Sequence, residues 1–420
     1  MRRTILAATI ALVVAIAAMY AITREPAHGP APAPTGDLSQ IVRGEYLARV
    51  GDCYACHTVR GGQPYAGGLE MATPFGSLYT TNITPDPETG IGKWTSDDFW
   101  RALHDGKSRD GSLLYPAMPY TNYTKVTRED ADAMYAYFKS LRPVRQPNRP
   151  AGLAFPYSQR ELLVGWRTLY FKEGEYKDDP QQSKEWNRGA YLVEGLGHCN
   201  ACHSTRNVLG AVKEGGDVSG GLIPVQNWYA PSLASPTEAG VADWSDAQVT
   251  ALLKTGISDR GAVMGPMSEV VSGSTQHLND DDLRAMASYL KALQPPSSAP
   301  TASTANAPVL AGPGAKLYER HCAACHGDRG EGAPGAYPAL AGSRAVVMNP
   351  PANLVHVVLE GGFPPATAGN PRPYGMPPFA TVLSNDEVAQ LLTHIRSSWG
   401  NRGTPVTALD ATRYRSVSAR

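Results

Sequence analysis

A five-residue pattern, Cys-x-x-Cys-His, occurs three times in this sequence and uses all six of its cysteines. Two thiols at this spacing lie on one helical turn, where they can form thioether bonds to the two vinyl groups of one haem. The adjacent histidine is then placed to coordinate the haem iron. The thiols predicted to attach haem are Cys53, Cys56, Cys199, Cys202, Cys322 and Cys325. The predicted iron ligands of these motifs are His57, His203 and His326.

Other uses of a Cys-x-x-Cys pair fit the pattern less well. A structural zinc site needs four ligands, usually from two such pairs, and here the pairs lie more than a hundred residues apart. A thioredoxin-like redox motif does not require a following histidine. A disulfide would explain two cysteines of each copy but not the histidine. Three copies with no cysteine left over therefore favour three covalently bound haems.

The sixth iron ligand decides whether a haem transfers electrons or binds small molecules. A methionine thioether is a soft, weak ligand that raises the reduction potential and saturates the iron. Each region has a methionine in a Pro/Gly loop shortly before its last helix, where a rigid loop could hold a weak ligand. These predicted ligands are Met118, Met267 and Met376. In the second region Met264 competes with Met267, although aligning Pro116-Ala117-Met118 with Gly265-Pro266-Met267 favours the latter, and His277 is a further alternative.

The elements that must position these residues also repeat. Apolar-periodic helices starting near Gly44, Gly189 and Gly314 are predicted to lead into the motifs. Later in the first two regions, Trp94-Thr95-Ser96-Asp97 and Trp244-Ser245-Asp246 predict capped helices that end at Gly106 and Gly256. Capped amphipathic helices that start after Thr127, Asn279 and Ser384 are predicted to close the three regions.

Helix, motif, long loop, helix, loop and helix is the plan of a mono-haem cytochrome c domain. The predicted fold class is therefore mainly α, with three tandem cytochrome c domains, long loops and an N-terminal transmembrane or signal helix. The predicted segments are a signal-anchor helix 1–24, a linker 25–36, domain 1 at 37–150, a connecting segment 151–185, domain 2 at 186–296, a linker 297–312, domain 3 at 313–405 and a tail 406–420.

Composition excludes several function classes. Lys and Arg total 38, and so do Asp and Glu, so no basic field indicates a nucleic-acid partner. The 42 glycines and 35 prolines predict much loop, as a small haem domain requires. The sequence has no Gly-rich dinucleotide fingerprint and no recognisable nucleophile triad, so substrate oxidation within this chain is not expected.

The N-terminus predicts export. Met1-Arg2-Arg3 precedes an apolar run from Ile5 to Ile22, long enough to span a bilayer. Its small-x-small sequences lie inside the run, which favours a retained anchor over a cleaved signal. The two arginines leave the following chain outside the cytoplasm. The predicted location is the periplasmic side of the cytoplasmic membrane, where haem c is attached in bacteria.

Together these motifs resemble the tri-haem cytochrome c subunit of bacterial membrane-bound dehydrogenases of the alcohol, gluconate and sorbitol type. The resemblance also rests on four further stretches, Asn82-Ile83-Thr84-Pro85, Tyr115 to Tyr120, Gly189 to Gly195 and Ser274 to Leu278. The resemblance covers nearly all of residues 37–405. It implies an electron-transfer subunit that takes electrons from a catalytic partner and passes them to ubiquinone or another cytochrome. The partner could be a flavin, quinone (PQQ) or molybdenum dehydrogenase.

Two other functions are compatible with the motifs. One is a haem peroxidase or reductase with one open haem, and the other is a membrane-anchored cytochrome that serves an oxidase without a dehydrogenase partner. The segment Phe155 to Phe171 has no repeat partner. We expect it to be an inter-domain helix packed on the second domain; a docking surface for the partner subunit or the bilayer is the alternative.

Overall fold

The computed structural model of the protein describes residues 37–212, 217–294 and 312–415, together with Val14. The predicted anchor, apart from Val14, and the linker 25–36 lie outside the described residues. Residues 297–311 of the second linker also lie outside them. In the described part of the chain, no helix is long and apolar enough to cross a membrane. The chain divides into two compact units, one formed by residues up to 48 with 56–177 and the other by 49–55 with 178 onward.

The first unit contains Cys56 and His57 of the first haem motif and residues 151–177 of the connecting segment, whereas Cys53 belongs to the second unit. Its helices are Leu38–Val50, Cys53–His57, Ser96–His104, Tyr120–Tyr123, Arg128–Ser140 and Leu163–Tyr170, with a 3₁₀ turn at Arg160–Leu162; the first two extend partly into the second unit. Strands Glu70–Thr73, Gly76–Tyr79 and Gly152–Leu153 form an antiparallel sheet in that order. Glu70 pairs with Tyr79, and Gly76 pairs with Leu153.

The second unit contains the other two motifs. Its helices are Lys184–Ala190, the π-helical Tyr191–Leu196, Asn200–His203, Asp246–Thr255, Pro266–Gly273, the 3₁₀ turn Thr275–His277, Asp280–Ala292, Pro313–His321, Ala323–His326, Arg344–Val347, Ala352–Glu360, Asn385–Ser397 and Ala408–Tyr414. Two short antiparallel ribbons pair Gly221–Leu222 with Tyr229–Ala230 and Ile257–Ser258 with Gly261–Ala262. Residues 49–55 join this unit, where the Val50 carbonyl accepts a hydrogen bond from Ser274 Oγ at 2.9 Å.

The predicted mainly helical fold is confirmed, and so are the predicted caps. The side chains of Thr127, Asn279 and Ser384 each accept a hydrogen bond from the third residue of a 13-residue closing helix. Thr95 and Ser245 form capping boxes at the start of their helices. Gly106 and Gly256 follow those helices with φ angles of 60° and 79°, the left-handed conformation that glycine adopts without strain.

A glycine brings the leading helix of each region into direct contact with the closing helix. A β-carbon on Gly44 would lie 1.9 Å from the Ala133 carbonyl oxygen, and one on Gly189 would lie 2.0 Å from that of Ala285. Gly314 meets the Gln390 carbonyl in the same way, at 2.2 Å. The helices therefore cross backbone to backbone, which only glycine permits. This crossing fixes the end of the leading helix, from which the haem motif continues.

Replacing Gly189 with alanine is therefore expected to destabilise the second unit by about 1–3 kcal/mol. The new methyl group would clash with the Ala285 carbonyl, and the clash is relieved only if the two helices move apart. The measurement is denaturant unfolding followed by circular dichroism. Gly165→Ala is the matched control, since a β-carbon there meets nothing within 4 Å and Gly165 itself is exposed. The control is expected to be neutral or slightly stabilising. Equal stability of the two variants would contradict the proposed role of the crossing.

The expectation that the connecting segment packs on the second domain is wrong. Its side chains pack on the first domain, around the loop that carries Met118. Tyr157 accepts a hydrogen bond from Tyr115 Oη through its carbonyl at 3.1 Å, and the Phe171 ring lies edge-on to Tyr120, 4.9 Å between centroids. Arg167 lies over both Tyr120 and Phe171. The segment thus braces the Met118 loop, while its use as a docking surface stays a prediction.

The third region has three further helices that were not predicted from the sequence, Arg344–Val347, Ala352–Glu360 and Ala408–Tyr414. Ala352–Glu360 buries Val355 and Leu359, and Ala408–Tyr414, within what we treated as a tail, buries Ala411 and Tyr414. Both pack into one core with the closing helix 385–397. Met376 is half-buried and packs against this core.

Candidate functional site

The two cysteines and the histidine of each motif lie together on one turn. In the second motif, the His203 amide donates to the Cys199 carbonyl at 2.9 Å, and in the third the His326 amide donates to that of Cys322 at 2.9 Å. The first motif is itself a helix, Cys53–His57. All six cysteines are free thiols, and the second cysteine of each pair is exposed. The turn therefore presents both thiols and the imidazole in one local group.

Each motif histidine is oriented by a backbone carbonyl from the loop that follows it. The Nδ1 atom of His57 lies 2.6 Å from the Thr81 carbonyl oxygen, that of His203 lies 2.6 Å from Pro231 and that of His326 lies 3.0 Å from Pro338. An Nδ1–H that donates to a carbonyl fixes the tautomer and the ring orientation, and it leaves the Nε2 lone pair for a metal. Because a backbone carbonyl holds Nδ1 in the same way in all three regions, the three histidines are suited to the same chemistry.

The protonation states agree with this assignment. Burial lowers the pKa of His57, His203 and His326, and the carbonyl hydrogen bonds offset only part of that effect. The neutral imidazole, which is the form that binds iron, is therefore favoured at neutral pH. Burial also raises the pKa of the Cys199 thiol to about 12 and that of Cys322 to about 11. Burial therefore favours the neutral thiol form of these two cysteines over the reactive thiolate of a redox motif.

A zinc site finds no support in the geometry. Among the described residues, no group of three or more His, Cys, Asp or Glu side chains is placed to hold a metal ion. Each motif supplies its two thiols and one imidazole alone. That donor set fits haem c, for which the thiols bind the porphyrin covalently and the histidine binds the iron. A haem held there would supply one-electron chemistry through its Fe(II) and Fe(III) states.

The three candidate methionines lie on separate elements, later in each region than the motif. Met118 sits in a tight turn, its amide donating to the Tyr115 carbonyl at 3.0 Å and its carbonyl accepting from the Tyr120 amide at 2.8 Å. Met376 exchanges two backbone hydrogen bonds with Gly362, at 2.8 and 3.0 Å. Both are half-buried in backbone-anchored loops, as predicted.

Met267 is not in a loop, and this part of the prediction is wrong. It is the second residue of the helix Pro266–Gly273, which begins after Gly265 at a φ angle of 58°. Proline suits the first position of a helix because its missing N–H has no partner there in any case. The Gly-Pro pair that we interpreted as a rigid loop is therefore the start of a helix, and Met267 is held by that helix instead.

Comparison with known proteins places the chain in a family. The cytochrome c family model matches three stretches, residues 41–142, 186–294 and 311–399, and each contains one motif, its carbonyl-bonded histidine and one candidate methionine. The chain belongs to the cytochrome c family. Membership implies covalently bound haem c and electron transfer.

Several curated relatives are similar over most of their length. The cytochrome c subunit of the quinone alcohol dehydrogenase of Gluconacetobacter polyoxogenes is 41% identical, over 93% of this chain and 87% of the relative. The cytochrome c subunit of the gluconate 2-dehydrogenase of Pantoea cypripedii is 41% identical over 89% of both. The cytochrome subunit of the fructose dehydrogenase of Gluconobacter japonicus is 35% identical over 90% of this chain and 83% of the relative.

Sequence reasoning missed the residues that support this cytochrome's predicted ligands. The carbonyl partners of the histidines, at Thr81, Pro231 and Pro338, follow the motifs by 12 to 28 residues. A proline whose carbonyl serves as acceptor in two regions is a signal that alignment of the repeats could have found. Arg167, which braces the Met118 loop, has no counterpart in the other regions and left no such signal.

Proposed function

We propose that this cytochrome carries three haems c and serves as the electron-transfer subunit of a membrane-bound dehydrogenase complex. The observation that carries the proposal is the threefold occurrence of one complete arrangement, in which two free thiols and a histidine share a turn and the histidine Nδ1 faces a carbonyl. Each copy has the donor set of one haem. Cys53 and Cys56, Cys199 and Cys202, and Cys322 and Cys325 would each attach one.

The proposed iron ligands are one histidine and one methionine in each region. They pair as His57 with Met118, His203 with Met267 and His326 with Met376. The histidine is held by its carbonyl partner and the methionine by a backbone-anchored turn or helix, so little rearrangement accompanies a change in iron oxidation state. Six-coordinate haems of this type favour electron transfer over binding of oxygen or peroxide.

The proposed partner is a catalytic dehydrogenase subunit of the flavin, PQQ or molybdenum type. Support comes from the relatives, which are named as cytochrome subunits of alcohol, gluconate and fructose dehydrogenases. Electrons taken from that partner would pass to ubiquinone or another respiratory acceptor. The proposed location is the periplasmic side of the cytoplasmic membrane, with residues 1–24 as anchor. Membrane fractionation and co-purification of a dehydrogenase test both; a soluble, partner-free protein would contradict them.

The haem count is tested by the stoichiometry of covalently bound haem. The full-length protein is expected to show three haems per chain in an alkaline pyridine haemochrome spectrum and in the intact mass. The double variant Cys199→Ala/Cys202→Ala is expected to retain two, because each thiol pair serves one haem. Ala201→Ser, within the same motif, is the control and should retain three. Two haems in the unmodified protein, or three in the double variant, would refute the proposal.

A further inference from the structure

The second and third haem regions meet in a defined interface inside the second compact unit. The segment 227–229 lies along the helix Ala352–Glu360 of the third region. Asn353 accepts a hydrogen bond from the Tyr229 amide through Oδ1 at 2.8 Å and donates one to the Tyr229 carbonyl through Nδ2 at 2.7 Å. His356 Nε2 lies 3.3 Å from the Asn227 carbonyl oxygen. The two regions are therefore held in one alignment by paired side-chain and backbone bonds.

Trp228 contacts both regions at this interface, through the His356 ring and through Gly265. On one side its ring stacks on the buried His356 ring, with centroids 4.8 Å apart and planes inclined by 14°. On the other side it touches Gly265, where a β-carbon would lie only 2.7–2.8 Å from three carbons of the indole. Gly265 immediately precedes Pro266 and Met267. The ring thus links the start of the Met267 helix to a helix of the third region.

The same stretch reaches the element that carries Met376. The Met264 methyl carbon lies 3.4 Å from the position that a β-carbon on Gly362 would occupy. Gly362 is the residue whose amide and carbonyl pair with Met376. A second contact nearby places the Pro365 ring against Gly256. The segment 264–267 and the Gly362–Met376 pair are therefore neighbours, and Trp228 supports this arrangement from one side.

We propose that Trp228 is a positioning residue that holds the segment 264–267 against the Gly362–Met376 pair. This proposal rests on the proposed function, in which Met267 and Met376 are the sixth ligands of the second and third haems. Because the ring is wedged between Gly265 and His356, it sets the placement of both ligand-bearing elements together. The second and third haem sites are in this view one coupled pair, whereas the first does not depend on Trp228.

Amide hydrogen exchange tests the placement directly, without any electron-transfer assay. In the haem-loaded full-length protein, Trp228→Ala is expected to accelerate exchange at the Gly362 and Met376 amides by roughly tenfold or more, since loss of an aromatic stack raises the frequency of local opening. Trp228→Phe retains a ring in the wedge and is expected to restore most of the protection. Trp166→Ala, in the connecting segment of the other unit, is the control and should leave both amides unchanged.

A redox titration supplies the second measurement. Trp228→Ala is expected to shift the reduction potentials of the second and third haems and to leave that of the first haem unchanged. Trp166→Ala is expected to leave the potentials of the second and third haems unchanged. If Trp228→Ala does not fold, Trp228→Leu decides, because it removes the aromatic stack on His356 but keeps an apolar side chain beside Gly265; faster exchange at the same two amides is then expected. Unchanged exchange at Gly362 and Met376 in whichever of these two variants folds would overturn the proposal.

The two proposals fail in distinguishable ways. A haem count below three refutes the proposed function, yet the exchange of the Gly362 and Met376 amides still reports whether Trp228 positions them. Conversely, unaltered amide exchange with three haems present rejects the role of Trp228 and leaves the proposed function intact.

Discussion

Met267→Ala is expected to lower the reduction potential of one haem by on the order of 0.1 V or more and to make that iron accessible to carbon monoxide. A thioether is a soft ligand that favours Fe(II), so its loss stabilises Fe(III) and opens the sixth position. The other two haems are expected to keep their potentials, because their proposed ligands lie on other elements. A spectroelectrochemical titration and a carbon monoxide difference spectrum measure the two effects.

Met264→Ala is the matched control for this experiment. Met264 is also half-buried and lies three residues earlier, outside the helix that carries Met267. If Met264→Ala opens the haem and Met267→Ala does not, then Met264 is the ligand. If neither does, a different residue such as His277 must occupy the sixth position. Carbon monoxide binding to the unmodified protein would argue for an open haem and hence for a peroxidase or reductase.

Arg396→Ala is expected to cost the third region about 4 kcal/mol in free energy of unfolding, the largest loss of stability that we anticipate from a single substitution. Arg396 lies on the closing helix 385–397 and is fully buried. Its guanidinium donates to the carbonyls of Val346, Met348 and Thr404 at 2.6–2.8 Å, and to Asn349 Oδ1 at 2.7 Å. Alanine would remove the Arg396 donor from the buried carbonyls of Val346 and Met348.

Burial lowers the pKa of Arg396 to about 10, and the side chain therefore remains protonated at neutral pH. The substitution is measured by denaturant unfolding of the full-length, haem-loaded protein, in the earliest transition seen by circular dichroism. Arg402→Ala provides the comparison, because Arg402 is exposed and six residues away. We expect that control to change stability by no more than about 0.5 kcal/mol. A similar small effect for both arginines would show that the Arg396 bonds are not needed for folding.

Features that depend on neighbouring residues were predictable from the sequence. The haem motifs are five residues long, and the caps at Thr95, Ser245 and Ser384 involve residues only three positions apart. Their chemistry is local, and the structure confirms the caps and the closing helices. Met267 marks the limit of such reasoning, because Gly265-Pro266 is compatible both with a rigid loop and with the start of a helix.

The placement of the connecting segment was not predictable in the same way. Phe171 and Arg167 belong to no recognisable motif, and nothing in their spacing indicates that both contact Tyr120. Arg396 is similar, since a charged residue near the end of an amphipathic helix is typical of a solvent-exposed position. Its burial depends on four carbonyl and amide oxygens, three of which belong to residues 47 to 50 positions earlier in the chain.

By itself, the sequence determined that the protein has three Cys-x-x-Cys-His motifs and that each motif lies in a region with the helices of a cytochrome c domain. Only the tertiary structure decided which carbonyl orients each histidine, and that Trp228 joins the second region to the third. The physical reason is range. Covalent attachment and helix capping are set by residues a few positions apart, whereas the alignment of two ligand-bearing elements depends on contacts between residues more than a hundred positions apart.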